Sequence, residues 1–364
     1  MRKIDLVVGV RPDFIRAAAL NSAFSSYEDT IDLRIIHTGQ HYDPELSQDL
    51  LEQLHLDHIS TILPFEGGEE ARQLAVLMIA YEDQIKFDPP DLLLVIGNSN
   101  SALASALVAS RHGIPMAHID AGIRDFTPVH IEEQNDLLID RLAQILFTSN
   151  EESVINLIRE GIDNSQIIEV GNIRADAVFM NLGYAEDSNI LDRSGLREGA
   201  YILMTLHHNH TLQQTDFLVS LFTMLEELSE RLLIHVVLHP KAMNLLEDIP
   251  GLILEFTDNL QLVSSRNYHD MLKLLKYAAL VLTDSQGLQE ESTVLGIPCL
   301  TIGHQTNRPI TLARGTNSLV GFDIDEIRTK ILSIMEGEVM AAHPVNGWDG
   351  KAGQRIAKFI SDFS

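Results

Sequence analysis

Short β-branched runs alternate with longer segments of helical period, and this series runs through the chain twice. The two patterns together predict an α/β protein whose parallel sheets carry helices on both faces. The first series places strands at Leu6–Val10, Leu33–His37, Leu92–Ile96, Pro115–Ile119 and Ile145–Thr148, each followed by a loop and a helical pattern such as Ala102–Ser110. The second begins again at Tyr201–Thr205 and continues through Ile234–Leu238, Leu252–Phe256, Leu280–Leu282 and Cys299–Ile302. Two such series imply two Rossmann-like domains facing across a cleft, residues 1–172 and 173–350. The boundary falls between Gly171 and Gly199, where the helical pattern Ala175–Leu182 gives way to the polar, irregular Gly183–Glu198. After Gly347-Trp348-Asp349-Gly350 the pattern is helical again, and this terminal helix, residues 351–364, can cross back to the first domain.

The charge balance narrows what such a fold can do. The 364 residues hold 26 Lys+Arg against 52 Asp+Glu, a formal charge of −26, and protonating all 15 His would still leave it negative. Nucleic-acid affinity rests on clustered Lys and Arg, so nucleic acid is excluded as a general partner, and a polybasic membrane patch with it. The length suits two domains, and 45% hydrophobic content is ample for packed cores. Cys299 is the only cysteine, so it has no internal disulfide partner, and its apolar setting Ile297-Pro298-Cys299-Leu300 reads as a core thiol in a reducing compartment. The apolar run at the N-terminus is broken by Asp5, Arg11 and Asp13, unlike a signal peptide, and no stretch approaches the roughly 20 apolar residues of a membrane span. The chain reads as soluble and cytoplasmic.

Open parallel sheets bind ligands at the carboxyl ends of their strands, so the post-strand loops are where chemistry is expected. In Gly9-Val10-Arg11-Pro12-Asp13-Phe14-Ile15-Arg16, Pro12 presets a helix start, and Arg11 and Arg16 can both reach an anion at the helix N-terminus. The same residues would equally suit a solvated helix start. Gln40 and His41, in Thr38-Gly39-Gln40-His41-Tyr42-Asp43, can hydrogen-bond a base or sugar, or can simply form a polar turn. Gly97-Asn98-Ser99-Asn100-Ser101 lets backbone amides approach a ligand, and Asn98 stands where a strand-end carboxylate often acts, although an amide cannot take a proton.

His118-Ile119-Asp120-Ala121-Gly122-Ile123-Arg124, followed by Glu132-Glu133-Gln134-Asn135, clusters carboxylates near a His and an Arg. General acid–base work needs that grouping, because neighbouring charge and burial move pKa values toward neutrality. An exposed acidic pair on a helix surface is the plainer reading of Glu132 and Glu133. Thr205-Leu206-His207-His208-Asn209-His210 holds three His on a turn too tight for them to converge on a metal, so a single His serving proton transfer is expected instead. In Asp284-Ser285-Gln286-Gly287-Leu288-Gln289-Glu290-Glu291 a strand runs into a Ser/Gly turn that opens a helix. Its amides can cap a phosphate while Glu291 accepts hydrogen bonds from ribose hydroxyls. Neither Gly-x-Gly-x-x-Gly nor a Walker loop occurs in the chain, which argues against ordinary NAD and ATP sites.

Taken in order, "GVRPDFIRAAAL", "HTGQHYD", "HIDAGIRDF", "EEQNDLLIDRLA", "VGNIRADAV" and "LTDSQGLQEESTVLGIPCLTIGHQTNRP" resemble the UDP-N-acetylglucosamine 2-epimerase family, over nearly the whole chain. The resemblance implies the two-domain GT-B-like fold, a homodimer, no cofactor, no metal and a UDP-sugar substrate. It implies an isomerase that interconverts UDP-GlcNAc and UDP-ManNAc. A base removes the C2 proton, UDP leaves by anti elimination, and the 2-acetamidoglucal is reprotonated on its other face as UDP adds back. On this match Arg11 and Arg16 fall at the substrate cleft, Gln40 and His41 match a Gly-Gln-His turn, and Arg124 matches the arginine of Ala-Gly-Leu-Arg. Asp120, Glu132 and His207 fall to proton transfer, and His239 joins the substrate-binding set. Ser285, Gln286 and Gly287 match the diphosphate-binding Ser-Gly-Gly, Glu291 the ribose-binding glutamate, and Arg308 the arginine of Glu-Arg-Pro.

The departures fall mainly on the chemical half. Asn98 replaces an Asp, Asp120 replaces a Glu, Asn135-Asp136-Leu137 replaces Asn-Arg-Arg, and His207-His208-Asn209-His210 replaces His-Arg-Arg-Glu, a segment that in the family helps bind an allosteric UDP-GlcNAc. Loss of one acid–base carboxylate leaves further expectations beside the leading one: a hydrolysing epimerase, an epimerase of a modified UDP-sugar, a GT-B glycosyltransferase, or a silent nucleotide-sugar binder.

Overall fold

Strands covered on both faces read as near-continuous apolar runs, and β4 (Leu92–Ile96) and β8 (Tyr201–Leu206) are buried at every position. The computed structural model describes residues 1–39, 50–56, 59–65, 67–126, 131–250, 252, 257–264, 267–338 and 343–363, apart from the side chains of Asn209 and Lys241. The chain falls into two units, Met1–Met180 with Asn346–Ser364, and Asn181–Val345.

Among the described residues the first unit holds a seven-stranded sheet ordered β3-β2-β1-β4-β5-β6-β7. Its strands are β1 (Arg2–Val8), β2 (Ile31–His37), β3 (Ile59–Ile62), β4, β5 (Met116–Ile119), β6 (Ile145–Thr148) and β7 (Ile167–Glu169). All neighbours pair parallel, with Leu6 of β1 opposite Ile35 on one side and Leu94 on the other. The helices are α1 (Arg11–Phe24), α2 (Glu70–Phe87), α3 (Asn100–His112), α4 (Ile131–Leu142) and α5 (Glu151–Arg159). Small residues on α3, Ala102, Ala106 and Ala109, let it sit close to Val7, Leu93 and Val95 of the sheet in one buried cluster.

Among the described residues the second unit repeats the winding in six strands, ordered β10-β9-β8-β11-β12-β13. These are β8, β9 (Leu233–Leu238), β10 (Leu260–Ser264), β11 (Leu280–Thr283), β12 (Cys299–Ile302) and β13 (Asn317–Gly321). Chain order assigns α6 (Ile173–Asp187), which contains the boundary between the units, α7 (Ile190–Ser194), α8 (Asn209–Leu212), α9 (Thr215–Ser229), α10 (Pro240–Glu247), α11 (Tyr268–Lys276), α12 (Gln286–Leu295), α13 (Pro309–Ala313), α14 (Ile324–Met335) and α15 (Ala352–Asp362). Cys299 is fully buried, and burial pushes its thiol up to about 11, so it is inert.

Several elements differ from the sequence reading. β3, β7 and β13 carry no long apolar run because each is a short strand at or near a sheet edge, half open to solvent. The strand beside β9 is Leu260–Ser264, whereas residues 253–256 of the expected run lie outside the described residues. α6 continues through Gly183 to Asp187, and Ile173–Met180 belongs to the first unit, as does the chain from Asn346 onward. The anchor for the latter is specific. The Asp176 carboxylate accepts the amides of Ala352 (3.0 Å) and Gly353 (2.7 Å) at the start of α15, and the Trp348 indole donates to the Ser149 carbonyl at 3.1 Å.

Candidate active site

In each unit the strand order reverses once, between β1 and β4 and between β8 and β11, and these switch points are where an open α/β sheet leaves a crevice at its carboxyl edge. At the first, Asp13 in the first turn of α1 accepts the backbone amides of Gly9 (3.1 Å) and Val10 (3.2 Å) through Oδ2. Its Oδ1 takes Arg16 Nη2 at 2.8 Å. The other end of the Arg16 guanidinium donates to Asp120 at the tip of β5. Both partners and Arg16 are buried, so the arginine is a fixed bridge rather than a loose surface cation.

Two backbone features make this bridge fit. Asp120 has φ +69°, a left-handed conformation that an L residue with a side chain adopts at a cost of about 1–2 kcal/mol, and that conformation turns its carboxylate off the strand axis toward Arg16. Gly97 has φ +62°, and a Cβ there would stand 2.8 Å from Arg16 Nη2, so only glycine lets the loop after β4 pass over the guanidinium. Asn98 follows directly, half-buried, its Nδ2 donating to Asp136 Oδ2 at 2.7 Å.

Asp136 belongs to a helix that turns several acidic and amide side chains inward. On α4 the buried face carries Glu133, Asn135, Asp136 and Asp140 beside the core residue Ile139, while Ile131, Leu137 and Leu138 are exposed. Of the inward carboxylates, Asp140 meets two buried cations, His118 and Arg124. His118 of β5, wholly buried, sets Nδ1 2.6 Å from Asp140 Oδ1 and Nε2 3.0 Å from the Gly97 carbonyl oxygen. Both neighbours accept, so both ring nitrogens carry hydrogen and His118 is an imidazolium. Burial works against that charge, but the Asp140 carboxylate outweighs it and holds the His118 pKa above its ordinary value. Burial likewise opposes the Asp140 charge, and His118 and Arg124 overcome it and hold Asp140 below the usual carboxylate range. Asp136 lacks such a contact pair; burial dominates and pushes it up to about 7, against the pull of His118.

The second switch point is built from hydroxyls and amides. Thr205 and Thr283 hydroxyls meet at 2.7 Å across β8 and β11, and the Thr283 hydroxyl also accepts the Ser285 amide at 2.9 Å. The Asp284 carboxylate accepts the amides of His207 (2.8 Å) and His208 (3.0 Å), which fixes the loop after β8. Ser285 is the N-cap of α12 and makes no side-chain cap bond, so the first-turn amides of a ten-residue helix are not taken up by the Ser285 side chain. Such an end suits an anion.

A profile of the UDP-N-acetylglucosamine 2-epimerase family matches residues 25–361. This chain belongs to that family of isomerases. The UDP-N-acetylglucosamine 2-epimerase of Methanocaldococcus jannaschii is 31% identical, with 99% of each chain covered. Its crystal structure in complex with UDP-GlcNAc and UDP superimposes with a TM-score of 0.89 over 99% of both chains, which places the fold in the GT-B-like class. The UDP-2,3-diacetamido-2,3-dideoxy-D-glucuronate 2-epimerase of Pseudomonas aeruginosa is 33% identical, again over 99% of each chain.

Within this epimerase-family chain the residues singled out by sequence fall into distinct settings. Arg16, Asp120 and Asn98 gather at the first switch point, and Arg11 is exposed at the start of α1. Arg124 is buried one layer deeper, its guanidinium spread over Asp140 (2.7 Å), both Glu160 oxygens (2.8 and 2.9 Å) and the Ile123 carbonyl (2.7 Å). Glu132 is exposed on the first turn of α4, whereas Glu133 is buried and accepts the Asp125 amide at 2.9 Å. Gln40 and His41 lie outside the described residues.

In the second unit His207 is exposed beside Asp284, and His239 is exposed between β9 and α10. Ser285, Gln286 and Gly287 form the half-buried start of α12; Glu291 lies buried on the same helix. Arg308 pairs through Nε with Glu290 at 2.9 Å. Among the described residues no cluster of three or more His, Cys, Asp or Glu could hold a metal, and no helix is long and apolar enough to cross a membrane.

Sequence reasoning passed over Asp13, Asp136, Asp140 and Asp284. The first three share a signal: an acidic residue three or four positions from another charged site residue on one helix face, as in Asp13–Arg16 and Asp136–Asp140. A charged stripe of that kind ordinarily faces solvent, and here the exposed Ile131, Leu137 and Leu138 accompany its burial.

Proposed function

We propose that this protein epimerises a UDP-linked N-acetylhexosamine at C2, interconverting UDP-GlcNAc and UDP-ManNAc. The observation that carries the reading is Asp120: a buried carboxylate at a strand tip, turned by a left-handed backbone and gripped by Arg16, in a chain whose relatives are epimerases. Asp120, Glu132 and His207 serve proton transfer. The C2–H bond breaks to a base, the electron pair forms the C1–C2 double bond, and UDP departs with the C1–O pair. Return of a proton to the other face of C2 and of UDP to C1 completes the inversion.

The amides of Ser285, Gln286 and Gly287 hold the diphosphate, Glu291 takes the ribose hydroxyls, and Arg11, Gln40, His41, His239 and Arg308 complete the substrate-binding set, whereas Arg124, expected there from sequence, is buried against Asp140 and Glu160 and braces the site from within. Local donors outweigh the negative global charge, because the far field is screened within about 10 Å at ordinary ionic strength. Incubating the purified protein with UDP-GlcNAc and following the mixture by proton NMR tests the reading. UDP-ManNAc, with a trace of 2-acetamidoglucal, is the expected product; free ManNAc would make it a hydrolase, and unchanged UDP-GlcNAc would sink the assignment to this substrate.

The Pseudomonas relative motivates a second substrate, a UDP-2,3-diacetamido uronate. Running both sugars side by side decides between them by kcat/KM. A homodimer is also proposed, and light scattering on the purified chain checks it.

A further inference from the structure

Asn98 is the first side chain past β4 at the switch point, and its amide nitrogen is spoken for: Nδ2 lies 2.7 Å from Asp136 Oδ2. When Asp136 is ionised its carboxylate only accepts, and in that state this contact fixes which way round the amide sits. Oδ1, an acceptor, is then the polar atom left for a ligand, and among the described residues it has no hydrogen-bond partner. The loop around it is held independently: Asn135 Nδ2 donates to the Asn98 carbonyl at 2.9 Å, and His118 Nε2 donates to the Gly97 carbonyl at 3.0 Å. The Asn98–Asp136 bond is therefore not needed to hold the backbone, and what it does set is the side-chain amide.

We propose that Asp136 is a positioning residue acting through Asn98. Its carboxylate orients the amide so that the site offers a neutral acceptor to a hydrogen-bond donor on the sugar, a hydroxyl or an acetamido N–H. This rests on the reading of a UDP-sugar substrate given above. The groups facing Asp136 are Asn98 from the loop after β4, His118 from β5, Arg124 from the loop after β5 and Asp140 from its own helix. His118 and Arg124 favour the carboxylate, burial and Asp140 oppose it, and the balance lies near neutrality. A protonated Asp136 can donate to Oδ1 instead, which turns the amide and presents Nδ2; the ligand-facing polarity thus depends on a single buried proton.

The pair makes an unusual demand on mutagenesis. Asn98→Asp puts two carboxyls at hydrogen-bond distance, where they must share one proton. Asn98→Asp with Asp136→Asn restores one carboxyl facing one amide with the two exchanged. The test uses wild type, N98D, D136N and N98D/D136N, each checked for folding by circular dichroism, with two readouts. The first is the carbon-13 titration of the residue 136 carboxyl. N98D is expected to move it upward by about one pH unit or more; a curve unmoved by N98D overturns the coupling whether or not the protein turns over any sugar.

The second readout is deuterium exchange at C2 of UDP-GlcNAc with pH. D136N is expected to lose roughly tenfold in kcat and to lose the wild-type dependence on pH near 7, and N98D to lose at least as much. The double variant is expected to recover roughly tenfold over N98D. A double variant no better than N98D, or a D136N profile that keeps the wild-type pH dependence, overturns the positioning role. If wild type itself exchanges nothing, the substrate reading fails, and the carbon-13 titration alone upholds or overturns the Asn98–Asp136 coupling.

Discussion

The two switch points of this molecule occupy the same place in the same winding and are built from opposite materials. Between β1 and β4 the groups are charged, buried and locked to each other: Asp13, Arg16, Asp120, and beneath them Asp136, His118 and Asp140. Between β8 and β11 they are hydroxyls, backbone amides and an exposed His207, with the Asp284 carboxylate accepting two amides rather than a cation's hydrogen bonds. A buried charge network fixes proton positions and shifts pKa values, as chemistry at carbon requires. A helix start dressed with small residues offers a neutral cradle that an anion can enter and leave. The fold supplies two equivalent crevices, and under the proposed function the side chains divide the labour between them.

If that division is right, substitutions in the first unit should lower turnover with UDP affinity intact, and those in the second should do the reverse. Asp120→Asn carries the largest expected effect: turnover of UDP-GlcNAc falls by roughly 10²–10⁴-fold while calorimetric UDP affinity is unchanged. Loss of UDP affinity in this variant would break the comparison. Arg16→Met removes the cation that bridges two buried carboxylates, Asp13 and Asp120, and about 3–5 kcal/mol of stability should be lost, read from urea unfolding. Glu291→Ala should weaken UDP about tenfold and leave the first unit's carboxyl titrations in place. Gly97→Ala forces a Cβ against Arg16 at a positive φ, and roughly 1–2 kcal/mol of destabilisation is expected.

The smallest effect sharpens the comparison through pH. Asp136 keeps its proton to about 7 in the folded chain, against about 3.9 when unfolded, so the folded state binds the extra proton between those values. Its contribution to stability is therefore full below about pH 4 and falls as pH rises toward 7. His118, held above its ordinary value, adds a loss in the same direction at higher pH, and Asp140, held low, loses its contribution only in acid. Urea midpoints of wild type and D136N between pH 5 and 8 check this: the wild-type midpoint falls more steeply across that range. Parallel curves would contradict the assignment.

Much of this was legible in the chain. The central strands announce themselves because they are buried on both faces, so β4 and β8 read as unbroken apolar runs, while the edge strands β3 and β13 do not. Arg16, Asp120 and Asn98 were visible as post-strand residues; that Arg16 closes on Asp120 was not, since 104 residues separate them in sequence and only strand order joins them. Asp136 was hidden by its chemistry. An acidic residue on an amphipathic helix points outward by default, and α4 reverses the default because His118 and Arg124 lie beneath it.

Deuterium wash-in at C2 bears most directly on the whole account. Wild-type protein incubated with UDP-GlcNAc in D₂O should place deuterium at C2 of both epimers. Epimerisation that retains the original hydrogen at C2, or sugar release without any exchange there, would contradict a proton-transferring first switch point.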